Sequence, residues 1–122
     1  GWMIQWSDFA FYFAGDAGYS SDFKETVKKL GEPDLAAIPI GAYEPRDFMK
    51  SAHINPEEAV KVFSDLGAKY AIGIHWGTFK LTLEPMKEPP ERLKKALKAA
   101  GVDGKIFRTL KHGEMWPEVL PN

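Results

Sequence analysis

Cysteine is missing from all 122 residues. Disulfides, thiolate nucleophiles and sulfur-ligated metal sites are therefore excluded, and any metal has to be held by histidine, aspartate or glutamate. Histidine itself is scarce, with three in the chain. No apolar run approaches the ~20 residues of a membrane-spanning helix, and no basic-then-apolar leader opens the sequence. Nor is there a surplus of charge: the formal net charge is −1, which gives no electrostatic basis for binding nucleic acid or an anionic membrane surface. Repeats, low-complexity tracts and linker-like stretches are also lacking. What is present is 44% hydrophobic and 27% charged residues, a globular composition at the length of one domain. The expectation is one unit over residues 1–122, without a membrane span, in the reducing cytoplasm that a cysteine-free chain suits.

Strand-like and helix-like segments alternate along the chain. Residues 2–6 and 9–13 are short aromatic-rich runs separated by Ser7-Asp8, so they read as two strands joined by a turn. The second run ends in Ala14-Gly15-Asp16-Ala17-Gly18, where two glycines leave room for a tight bend. A helix is predicted from Asp22, as its cap, to Leu30, with Phe23, Val27 and Leu30 on one face. Residues 34–40 (DLAAIPI) are nearly all apolar, as in a strand buried on both faces, although Pro39 removes a ladder donor. The clearest helix signal covers residues 56–66. Asn55 is a good N-cap, Pro56 suits the first turn, Glu58 completes a capping box, and Ala59, Val62, Phe63 and Leu66 form an apolar stripe ending at Gly67. Residues 70–74 form another apolar strand, closing on His75-Trp76-Gly77. A third helix over residues 90–100 buries Leu93, Ala96, Leu97 and Ala100 and turns Lys94, Lys95 and Lys98 to water, and residues 105–110 form a last strand. This alternation predicts an α/β layer: one mixed or parallel sheet with about three helices on one face.

Two residues are candidates for chemistry. Asp16 follows one apolar strand in a glycine-flanked turn, and His75 ends another. The ends of sheet strands are where α/β proteins place ligands, so the pair reads as metal ligands or an acid and base. The plainer alternatives are a turn aspartate bonded to nearby backbone and a structural histidine. By position alone, His53 ahead of a helix and His112 near the C-terminus have ordinary surface settings.

Four segments together resemble one family. Phe13-Ala14-Gly15-Asp16-Ala17-Gly18-Tyr19 is similar to the segment of metallo-β-lactamase-fold hydrolases whose aspartate bridges two metal ions. Pro39-Ile40-Gly41-Ala42-Tyr43-Glu44-Pro45-Arg46, Asn55-Pro56-Glu57-Glu58-Ala59 and His75-Trp76-Gly77-Thr78-Phe79 resemble the branch containing the N-acyl-phosphatidylethanolamine-hydrolysing phospholipase D enzymes and their bacterial relatives. The resemblance runs from about Trp2 to Glu114 with the segments in the family's order. It implies the C-terminal half of an αββα sandwich, Asp16 as the bridging carboxylate and His75 as the last histidine ligand of a zinc site. His53 then lies toward the substrate, as a polar contact to it or a support for a ligand, and His112 matches no ligand.

The family's His-x-His-x-Asp-His cluster, and one further histidine, have no counterpart in this chain. Even an open catalytic zinc site takes about three protein ligands, so the expectation is part of a zinc-dependent phosphodiesterase, inactive alone. The alternative is a non-catalytic half-domain that self-associates or serves as an interaction module. Either way, an apolar sheet face is left without the half that covers it in the family. A homodimer packed through that face is expected, unless residues 42–55 fold back over it. The substrate implied for the complete enzyme is a lipid-like phosphodiester.

Overall fold

The computed structural model describes residues 1–116. Five strands form one sheet in sequence order: β1 (Trp2–Gln5), β2 (Ala10–Phe13), β3 (Leu35–Pro39), β4 (Tyr70–Ile74) and β5 (Phe107–Thr109). β1 and β2 are an antiparallel hairpin, closed across Ser7-Asp8 by the Trp6 N–H donating to the Phe9 carbonyl at 2.8 Å. All other neighbours are parallel. The connections carry α1 (Asp22–Leu30), a short α2 (Arg46–Met49), α3 (Pro56–Leu66) and α4 (Glu88–Ala99). The α/β reading therefore holds, with three long helices packed on one face of a mixed sheet.

The core lies between those helices and the sheet. Tyr12, Ala36, Ile38, Ala71 and Phe107 from the strands meet Phe23 of α1, Ala59, Val62, Phe63 and Leu66 of α3, and Leu93 and Leu97 of α4. α3 forms as its sequence demands. The Asn55 side chain accepts from the Glu58 N–H at 2.9 Å, Glu58 reaches back to the Asn55 N–H, and Gly67 ends the helix in the left-handed region.

Several details differ from expectation. Asp22 is the first residue of α1 and not its cap; Ser21 holds the cap position without a side-chain bond, and the Asp22 carboxylate acts in the first turn, where negative charge suits the helix dipole. Leu30 and Ala100 are exposed, each at the C-terminal end of its helix. α4 starts at Glu88, since Pro89 and Pro90 fit a first turn that needs no N–H donors. α2 has no counterpart in the sequence reading, being too short to show a period. β4 is buried on alternate residues only: Ala71 and Gly73 face the helices, whereas Tyr70, Ile72 and Ile74 are half-exposed on the other side.

Candidate metal centre

Because β2, β3 and β4 run parallel, the segments that follow them all leave from one end of the sheet. Asp16 lies a short turn beyond β2 and His75 directly follows β4. Their side chains meet there, with His75 Nε2 3.2 Å from Asp16 Oδ1. His53 arrives from the loop between α2 and α3. Its ring stacks on that of His75, centroids 5.3 Å apart and planes 25° from parallel. All three nominated residues are thus brought together. His112 is engaged elsewhere, its Nε2 3.0 Å from the Thr78 hydroxyl.

Close backbone approaches fix this arrangement. A Cβ on Gly41 would run into the carbonyl of His75, so only glycine lets the loop after β3 pack against the loop after β4. His75 there holds a φ of +62°, a conformation uncommon for a residue with a side chain. On the other flank, a Cβ on Gly18 would collide with the carbonyl of Ser51. Gly18 is therefore a docking point between the Asp16 turn and the His53 loop, whereas the bend expected of both glycines falls to Gly15, at φ +66°.

Glu84 is a structural anchor with no mark in the sequence pattern. Its buried carboxylate accepts from the backbone N–H groups of Ala42 (2.6 Å), Tyr43 (3.2 Å) and Glu44 (3.1 Å). The loop can present three donors to one carboxylate because Ala42 takes a positive φ of +62°. Burial pushes the Glu84 carboxyl up, but hydrogen bonds from Thr82, from its own N–H and from those of Glu44 and Ala42 outweigh it and hold the group below the usual carboxylate range. The same loop is held from below by Tyr43, whose hydroxyl donates to Glu88 at 2.7 Å while the Arg92 guanidinium lies 4.8 Å from its ring centroid.

The donor pair fits one metal ion in part. Two donors at ~2.1 Å from a tetrahedral ion lie ~3.4 Å apart, close to the 3.2 Å between Asp16 Oδ1 and His75 Nε2. The Nδ1 atoms of His75 and His53 are buried without a hydrogen-bond partner, so His75 lacks the acceptor that usually orients a metal-bound imidazole. Among the described residues, no three histidine, aspartate or glutamate side chains converge as a metal-binding group. Beside His75 opens a cleft of about 510 Å³, lined by Ile72, Ile74, Trp76 and Leu110 among others.

Residues 1–76 match the family model of the beta-lactamase superfamily domain. The chain belongs to the β-lactamase superfamily and has the fold of its metal-dependent hydrolases. Within it, the sequence is 49% identical over 119 residues to N-acyl-phosphatidylethanolamine-hydrolyzing phospholipase D 1 of Caenorhabditis elegans, covering 95% of this chain and 33% of that protein. A metal-dependent hydrolase of Methanopyrus kandleri is 30% identical over 116 residues, covering 95% of this chain and 44% of its own length. Among solved structures, the isothiocyanate hydrolase from gut bacteria of Delia radicum superposes with a TM-score of 0.71 at 15% identity, over 92% of this chain and 41% of that one. The metallo hydrolase Igni18 of the archaeon Ignicoccus hospitalis does so with a TM-score of 0.65 at 23% identity, over 92% and 42%. The chain thus spans a third of the length of the Caenorhabditis relative and under half of the others. No helix among the described residues is long and apolar enough to cross a membrane.

Proposed function

We propose that this chain carries part of the metal centre of a zinc-dependent hydrolase acting on phosphodiesters of lipid character, with Asp16 and His75 as ligands and His53 on the substrate side. The reading rests on the meeting of Asp16 Oδ1 and His75 Nε2 at 3.2 Å, with His53 stacked behind them. The apolar cleft beside His75 suits a substrate that carries hydrocarbon next to a polar reacting group, and the Caenorhabditis relative is named for hydrolysing such a lipid. Zinc bound there would supply Lewis acidity and a hydroxide nucleophile.

The chain's own residues hold and orient. Asp16 offers an exposed carboxylate, open to ligands from another segment. His75 offers a ring nitrogen on a backbone locked by Gly41. His53 keeps the His75 ring in plane and has ring N–H capacity for a substrate oxygen.

Alone, the chain is inactive in this reading, because two donors give little chelate advantage over water. Its open sheet face, with Trp2 74%, Ile4 46% and Phe13 40% exposed, packs against a second copy. The rival reading, a self-associating module without catalysis, accounts for that face but not for the converging Asp16, His75 and His53.

Equilibrium dialysis against zinc with elemental analysis, beside hydrolysis of bis(4-nitrophenyl) phosphate, tests the proposal. Weak zinc uptake, lost in both Asp16→Ala and His75→Ala, and no turnover are expected. Zinc retained through exhaustive dialysis and indifferent to Asp16→Ala would refute the ligand assignment.

A further inference from the structure

The backbone of His53 is tied on both sides. Its N–H donates to the Met49 carbonyl at 2.8 Å, at the end of α2. Its carbonyl accepts from Arg46 Nη1, also at 2.8 Å. The second terminal nitrogen, Arg46 Nη2, pairs with the Glu58 carboxylate. That same carboxylate oxygen closes the capping box by accepting from the Asn55 N–H at 3.3 Å. We propose that Arg46 is a positioning residue for the site: its guanidinium ties the His53 carbonyl to the first turn of α3, and so sets the place at which the His53 ring stacks on His75.

The chemistry explains why arginine stands here. A planar guanidinium presents two terminal nitrogens in a fixed fork, so one half-buried side chain serves a carbonyl and a carboxylate at once. Lysine, a point charge on a flexible stem, can stay paired with Glu58 but has no second rigid arm for the carbonyl. Without that arm the His53 carbonyl loses its partner, while the Ala52 and His53 N–H bonds to the Met49 carbonyl and the Gly18–Ser51 contact further back remain. The rest of the fold does not depend on it. Ile54 is fully buried in the core, and the Asn55 side chain caps α3 through the Glu58 N–H regardless of Arg46. Arg46 therefore acts on the histidine pair more than on stability.

The functional weight of this inference rests on the reading of His53 proposed above, but the geometry is testable in the metal-free chain. The 122-residue chain, with labelled histidine, is compared with Arg46→Lys and Arg46→Met by cross-relaxation between the His53 and His75 ring protons and by thermal unfolding. Arg46→Lys is expected to keep its midpoint near that of the unaltered chain while the ring-to-ring cross-peaks are lost. Arg46→Met, which has neither arm, is expected to lose them too; Glu58→Gln, whose amide oxygen still accepts from the guanidinium, is expected to keep them, and it serves as the second variant should Arg46→Met fail to fold. Full cross-peaks in Arg46→Lys, or a lowered midpoint with the stack unchanged, would overturn the proposal and leave Arg46 a structural residue. Zinc uptake is measured separately: loss of the stack in Arg46→Lys together with no zinc binding by the unaltered chain sustains the positioning role and sinks the metal reading instead.

Discussion

Replacing Glu84 by alanine removes one acceptor from three backbone donors, and the size of the effect follows from where those donors sit. Ala42 and Tyr43 are buried, whereas Glu44 is half-exposed and can turn to water. Two buried N–H groups left unpaired at ~1–3 kcal/mol each put the loss near ~4 kcal/mol, a large part of the ~5–15 kcal/mol that holds a domain of this size together. Glu84→Gln is milder. Ala42 and Tyr43 both donate to Oε1, which an amide oxygen can replace, but the amide nitrogen then faces the Glu44 N–H and the charge is gone, for a loss of ~1–3 kcal/mol. Urea unfolding at neutral pH reads both as a fall in midpoint at constant slope. The sign of the pH dependence is fixed as well. The folded carboxyl is held below its ordinary value, so its contribution is complete above the unfolded value of ~4.3 and is lost as pH falls through the folded one. The acid limb of the stability curve should therefore flatten in Glu84→Gln. A cost under ~1 kcal/mol for Glu84→Ala would refute the reasoning by showing that water satisfies these donors.

Three further outcomes are expected. Asn55→Ala should cost ~1–2 kcal/mol in the same unfolding experiment, because it opens the capping box of the central helix. Gly41→Ala should cost ~1–3 kcal/mol or more by forcing the two strand-end loops apart, while Gly104→Ala, with nothing near its added carbon, should stay within ~0.5 kcal/mol. Sedimentation equilibrium should find a dimer that Trp2→Asp and Phe13→Asp dissociate, and a monomer persisting at micromolar concentration would remove the second copy from the open face.

The site was legible in the sequence to the extent that it was local. Asp16 and His75 each end an apolar strand, and that position was visible in the residues alone; the parallel pairing of β2, β3 and β4 then brought them to one rim. His53 carried no such mark, and only its resemblance to a family segment nominated it. Arg46 and Glu84 escaped notice for a physical reason. Arg46 opens a helix of four residues, too short to show a period. Glu84 lies in an irregular stretch, and its donors are some forty residues upstream. Side chains that act on distant backbone leave no spacing to read.

The open face follows from the strands in a similar way, and its register says more than its composition. Strand pairing aligns Trp2 with Phe13, Phe13 with Ala37 and Ala37 with Ile72, and beside that row aligns Ile4 with Phe11, Phe11 with Leu35 and Leu35 with Tyr70. Two apolar rows therefore cross four strands on the face turned away from the helices. Apolar side chains scattered on a surface need no explanation, but contiguous rows beside a candidate site do. Residues 42–55 do not cover them. That loop is drawn to the strand ends by Glu84 and toward α3 by the Arg46–Glu58 pair, and Trp2, Ile4 and Phe13 stay exposed. The possibility that this loop folds back over the face is thus closed by the same contacts that build the site. In the proposed reading a second copy covers the rows, and it then arrives beside Asp16, whose exposed carboxylate is open to ligands from another chain.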